Sequence, residues 1–239
     1  MLGELLLTAG VVVLLFVAWQ MWIGDIIISA QKNEEGAAVS QEWAEAPAPE
    51  LPPAVEADDG TTQYEPVIPA PPADTEHLGQ MIIPRFGAQY NVGIYGGTTR
   101  ARTLDKLGIG VYTGSKMPGE VGNFAMAGHR TTWGKPFNQL DKLHVGDAIV
   151  VETADGWFTY RFRTLEYVKP TQTDVLLDVP QMPGAATGER YITLTACSPL
   201  YSLAERIVAY GVYEGFQPRA EGPPPALTDP PPPPAGPSI

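Results

Sequence analysis

Residues 77–216 predict an all-β domain, a small barrel or sandwich. Six short runs there are rich in β-branched and aromatic residues, Gly and Pro punctuate them, and only two brief stretches have helical composition. In order the runs are "GQMIIPRF", "VGNFAMAGH", "DAIVVETA", "GWFTYRFRTLEYVK", "RYITLTAC" and "RIVAYGVYE". The third and fourth predict a hairpin, because "ADG" between two alternating segments supplies turn chemistry. The helical turns are expected in "TTRARTLDKLG" and "PFNQLDKL". No internal repeat is present.

The flanks differ in kind. Residues 5–23 are apolar except for Thr8 and Gln20, and about 20 such residues cross a bilayer as a helix. The run has no basic segment before it and no small-x-small cleavage site after it, and Trp19 and Trp22 suit a membrane interface. A retained anchor over residues 1–32 is therefore expected, rather than a cleaved signal or a core helix. No Lys or Arg precedes the run and Lys32 follows it, a charge asymmetry that opposes an outside C-terminus.

The net charge of −12 is localised. Residues 33–76 hold eleven acids and no base, together with eight prolines, and predict an extended, disordered spacer. From His77 onward fourteen acids balance fourteen bases, so the foldable part has no electrostatic footprint for nucleic acid. Residues 217–239, with "DPPPPPAGP", predict a second disordered, polyproline-like segment.

Cys197 is the single cysteine, so no internal disulfide is possible. In "RYITLTAC", Ile192, Leu194 and Ala196 share one strand face while Thr193, Thr195 and Cys197 share the other. An antiparallel return by "RIVAYGVYE" brings Arg206 beside Cys197, and a guanidinium next to a thiol favours the nucleophilic thiolate and can donate to an oxyanion. Of the three histidines, His77 lies at the linker boundary and His144 in the polar turn "DKLHVGD". His129 closes an apolar run after Gly128, whose missing side chain permits close backbone approach. Taken singly, Cys197 reads more readily as a small buried hydrophobe than as a nucleophile. One Cys and scattered His give no chelating spacing, and "GIYGG" lacks the lysine and strand-to-helix context of a phosphate loop, so no metal or cofactor is expected.

Together, "TLTAC", "FAMAGHR" and "ERIVAYG", with His129, then Cys197, then Arg206 along the chain, resemble the sortases, membrane-anchored cysteine transpeptidases of Gram-positive cell surfaces. "MIIPRFG" and "PFNQLDKLHVGDAIVVET" extend the resemblance over nearly all of residues 79–214. It implies an eight-stranded β-barrel whose Cys197 attacks the Thr carbonyl of an LPxTG-type sorting motif on a secreted surface protein, with His129 as acid and base and Arg206 on substrate or oxyanion. A thioester results, which an amine of a peptidoglycan precursor resolves. The domain is then extracytoplasmic on a single-pass anchor, against the charge asymmetry, with the spacer lifting it off the membrane. "GVYTGSKMPGEVGNFAMAGHR" is most similar to class E, the actinobacterial group associated with LAxTG motifs and a tyrosine in the segment of Tyr112. Thr195 and the loop residues Val175, Leu176 and Leu177 are the expected substrate contacts besides Tyr112. The Asp-Pro-aromatic lid of pilin-polymerising class C enzymes is absent from the sequence before residue 77, and Ala196 stands where many sortases carry a second Thr. A pilin-polymerising enzyme and a non-catalytic envelope module are the alternatives.

Overall fold

A computed structural model describes residues 2–19, 24–56, 62–186 and 188–229. Its centre is a closed barrel of eight strands: β3 (His77–Ile82), β4 (Asn91–Gly96), β5 (Ile109–Val111), β6 (Gly122–Ala127), β7 (Ala148–Glu152), β8 (Gly156–Val168), β9 (Arg190–Ser198) and β10 (Glu205–Pro218). Around the barrel the order is β10-β8-β7-β3-β4-β5-β6-β9. Neighbours are antiparallel except β4–β5 and β6–β9, which are parallel. Closure leaves no free edge, and the inward alternation fills the barrel. Met81, Ile94, Ile109, Phe124, Met126, Ile149, Phe158, Ile192, Leu194 and Ile207 are all but inaccessible to solvent.

The "ADG" hairpin forms as expected, with Glu152 paired to Trp157 across its turn. Both stretches of helical composition are single turns, Arg100–Leu104 and Leu140–Lys142. Two barrel strands lack the run of large apolar residues that marks the others. β4 is "NVGIYG", with glycines at 93 and 96 that interrupt both of its faces, and β5 is only three residues long.

The flanking segments differ in how they meet expectation. Helix α1 (Leu2–Ala18) is apolar and exposed, and residues 20–23 of the expected span lie outside the described residues. Among the described residues no helix is both long and apolar enough to cross a membrane. Helix α2 (Gly24–Glu45) occupies the start of the expected spacer and lies on the barrel. From Asn33 to Ala46 nine of fourteen residues are Ala, Glu or Gln, good helix formers, and the prolines begin only at Pro47. Averaging acids and prolines over residues 33–76 conceals that boundary. Gly36 lets the helix approach β4, where a Cβ would sit 2.3 Å from the Asn91 carbonyl oxygen. Asn91 Nδ2 donates to Ser40 Oγ at 2.8 Å, and Ser40 in turn donates to Glu152.

From Thr62 onward the described chain lies against the barrel. Strands β1 (Ala54–Glu56) and β2 (Thr62–Tyr64) pair, Tyr64 and Val67 pack against the core, and Asp74 bridges to Gly96. Residues 57–61 lie outside the described set. At the other terminus the expected tail is ordered as far as helix α3 (Pro225–Thr228). Arg219 is held by Glu152 at 2.9 Å and stacks over Trp157 and Trp43, which secures α2 and the C-terminal segment to one buried carboxylate. Residues 230–239, with the proline run, lie outside the described residues.

Candidate active site

Strand β9 divides its side chains as alternation requires. Ile192, Leu194 and Ala196 enter the core, which forces Thr193, Thr195 and Cys197 to the outer face. Cys197 is partly exposed there and is a free thiol. The β9–β10 register makes Arg206 its direct partner, and Ile207 opposite Ala196 buries the other face. Arg206 Nη1 donates to the carbonyls of Leu203 at 3.2 Å and Glu205 at 2.9 Å, which anchors the guanidinium at the strand's start.

His129 arrives by the parallel ladder. Ala127 of β6 pairs with Thr195, and the Gly128 N–H donates to the Thr195 carbonyl at 3.0 Å. His129 and Cys197 each lie two residues beyond that last pair. Gly128 is required here, because a Cβ would come 2.6 Å from the Phe137 ring. The three residues line one cleft of about 500 Å³, together with Tyr112, Thr195, Arg130 and the Thr131–Thr132 turn.

Asp105, at the end of the Arg100–Leu104 turn, meets His129 Nε2 at 2.7 Å with Oδ1. The sequence held no signal for this partner, which is 24 residues distant and outside any motif. Burial pushes the His129 pKa down, the Asp105 hydrogen bond and charge oppose that shift, and the charges of Arg100 and Lys32 reinforce it. Arg130, buried beside the histidine, donates to Ser198 Oγ at 3.1 Å and so ties the end of β6 to the end of β9.

The expected substrate contacts separate into two groups. Tyr112 and Thr195 are in the cleft and share a hydrogen bond of 2.8 Å between hydroxyls. Thr195 donates its single proton to the Met126 carbonyl at 3.2 Å, so the Tyr112 hydroxyl is the donor and keeps its lone pairs free. Val175, Leu176 and Leu177 are not in the lining of this cleft. Val175 is buried with Val168, Val208 and Tyr210, Leu176 packs against that cluster, and Leu177 is exposed. Asn123 fastens this loop to the barrel by donating to the carbonyls of Val175 and Leu177 while accepting from Thr193.

A free thiol, an imidazole with a carboxylate partner and a guanidinium thus converge on the outer face of a closed barrel. The family model described as "Sortase domain" matches residues 81–214, more than half of the chain and all three of these positions. The chain is 34% identical over 232 residues to sortase SrtE1 of Streptomyces coelicolor, an alignment covering 95% of this chain and 60% of that protein. The structure of SrtA sortase from Actinomyces oris superposes with a TM-score of 0.63 at 35% identity, covering 67% of this chain and 92% of that one. That of sortase E1 from Streptomyces coelicolor, with a tripeptide in its active site, gives 0.60 at 35% identity, covering 65% and 99%. The chain belongs to the sortase family. It spans about three fifths of the length of the curated SrtE1 protein.

Proposed function

We propose that this chain is a class E-like sortase, a transpeptidase that cleaves an LAxTG or LPxTG sorting motif between Thr and Gly and passes the protein to an amine of a cell-wall precursor. The observation that carries this is the pairing of Cys197 with Arg206 across β9–β10 while the parallel β6 ladder delivers His129 to the same cleft. Cys197 Sγ, as thiolate, adds to the Thr carbonyl carbon, and Arg206 stabilises the oxyanion or the substrate chain. His129 protonates the Gly nitrogen as the C–N bond breaks, which leaves a thioester. The incoming amine then gives its proton to His129 and expels the thiolate. Asp105 holds the ring through Nε2, so Nδ1 is the nitrogen left to exchange protons.

The anchor belongs to the same proposal: residues 5–23 place the enzyme in the cell membrane, single-pass, with the barrel outside, where sorting substrates emerge. The test is mass spectrometry of the chain with a sorting-motif peptide. A covalent adduct on Cys197 equal to the peptide without its Gly and following residues supports the reading, and the absence of any adduct at active-site concentrations removes it.

A further inference from the structure

The structure assigns helix α2 a part in positioning His129, with Lys32 as the positioning residue; this rests on the sortase reading of His129. Lys32 is only 7% exposed, an unusual state for an ammonium group. Its Nζ donates to the carbonyl of Lys106 at 3.0 Å, and Lys106 directly follows Asp105, the carboxylate bonded to His129. The lysine stem lies on the other side against Gly134, five residues beyond His129, where a Cβ would be 3.1 Å from Lys32 Cδ. One side chain thus packs against both the segment that carries Asp105 and the segment that leaves His129.

Asp25 adds a second fastening seven residues earlier, on the same helix face. It is buried, and its Oδ2 accepts the Thr132 N–H at 3.1 Å, in the turn that lines the cleft. A helix that only covered the barrel would do so at lower cost with apolar side chains, because burying an ammonium forfeits its hydration. Burial does push the Lys32 pKa down, with Glu35 opposing. The charge also reaches His129. Asp105 favours the protonated ring while Arg100 and Lys32 oppose it, and Cys197 and Arg206 share the cleft. Lys32 therefore helps fix where the ring sits and adds a small opposing charge to its protonation, after burial, Asp105 and Arg100.

The test uses the full chain in nanodiscs, with ¹³C-labelled histidine read by NMR. Lys32→Met keeps an unbranched stem and removes the ammonium. The expected result is a His129 titration displaced to higher pH, with His144 unmoved, and kcat lowered roughly tenfold by loss of alignment with KM unchanged. Wild-type titration of His129 together with wild-type kcat overturns the inference. Should Lys32→Met fail to fold, Asp25→Ala decides: amide exchange over residues 132–134 rises and kcat falls if α2 holds the turn, and unchanged exchange overturns it. A wild-type chain that forms no adduct with sorting peptide removes the sortase reading instead, and the His129 titration then judges Lys32 by itself.

Discussion

Cys197 and Arg206 are Cα partners across β9–β10, and the next pair inward, Ala196 with Ile207, is buried in the barrel core. The register that sets the thiol beside the guanidinium is therefore enforced by burial. A slip of β10 by one residue would drive Arg206 inward and expose Ile207 while Cys197 stayed on the outer face without it.

From this pairing, Cys197→Ala should abolish adduct formation and turnover while the barrel melts at an essentially unchanged temperature, since the partly exposed sulfur contributes little buried volume. Arg206→Lys should lower kcat/KM by on the order of 100-fold, the scale of losing one oxyanion donor, again with stability retained. Peptide turnover and thermal unfolding of the two variants measure this, and wild-type turnover in either removes that residue from the mechanism.

Asp105→Asn should displace the alkaline limb of the pH–rate profile to lower pH. The carboxylate raises the His129 pKa against burial, so its loss lets the value fall further and empties the imidazolium form earlier as pH rises. A drop in kcat of roughly tenfold or more should accompany the shift, short of the 10²–10⁴ ascribed to general acid–base catalysis as a whole. An unmoved limb would show that the contact does not tune the ring.

The Tyr112 hydroxyl donates to Thr195 and retains its acceptor capacity, so it suits a substrate N–H. Alanine at the second motif position offers one and proline does not. LAxTG peptides should accordingly be processed at least as well as LPxTG in a competition with one amine acceptor, and Tyr112→Phe should shrink the ratio while sparing the chemistry. A clear preference for LPxTG, or an unchanged ratio in Tyr112→Phe, rejects the class E assignment and leaves the broader family standing.

His77, stacked on Trp43 of α2 and meeting the tilted ring of Tyr95 of β4, has its pKa pushed below the ordinary 6.5 by burial. A histidine held neutral by the fold costs nothing above pH 6.5 and destabilises the folded state progressively as pH falls below it, because only the unfolded chain then protonates freely. His129 acts in the same direction. His77→Phe keeps an aromatic ring in the stack, so denaturant midpoints should fall less between pH 7.5 and pH 5 than in the wild type. Parallel midpoints in the two proteins would count against a neutral buried His77.

The barrel was legible wherever burial on one face imposed a two-residue period. β7, β8, β9 and β10 announce themselves through β-branched and aromatic runs, and their facing ends hold Cys197 and Arg206 at adjacent positions in a recognisable hairpin. β4 was not legible, because Gly93 and Gly96 stand where large residues would mark a face. Asp105 and Lys32 were hidden for a different reason. Each acts through a contact more than twenty residues away, to His129 and to the Lys106 carbonyl, and no local pattern encodes such a partner. Helix α2 was obscured by its own acids, which resemble those of a spacer until the prolines are counted separately.

Asp25 also limits how far the barrel can travel. It lies six positions beyond Trp19, and a fully extended chain of that length reaches about 20 Å. If α1 is seated in the bilayer as proposed, the Thr131–Thr132 rim of the cleft would be leashed within about that radius of the lipid, whatever the length of the proline-rich segment that follows. Substrate and acceptor would then meet the enzyme by lateral diffusion in a thin layer along the membrane rather than by a search through the depth of the wall. The enzyme would work as a fixed station that its cargo drifts past.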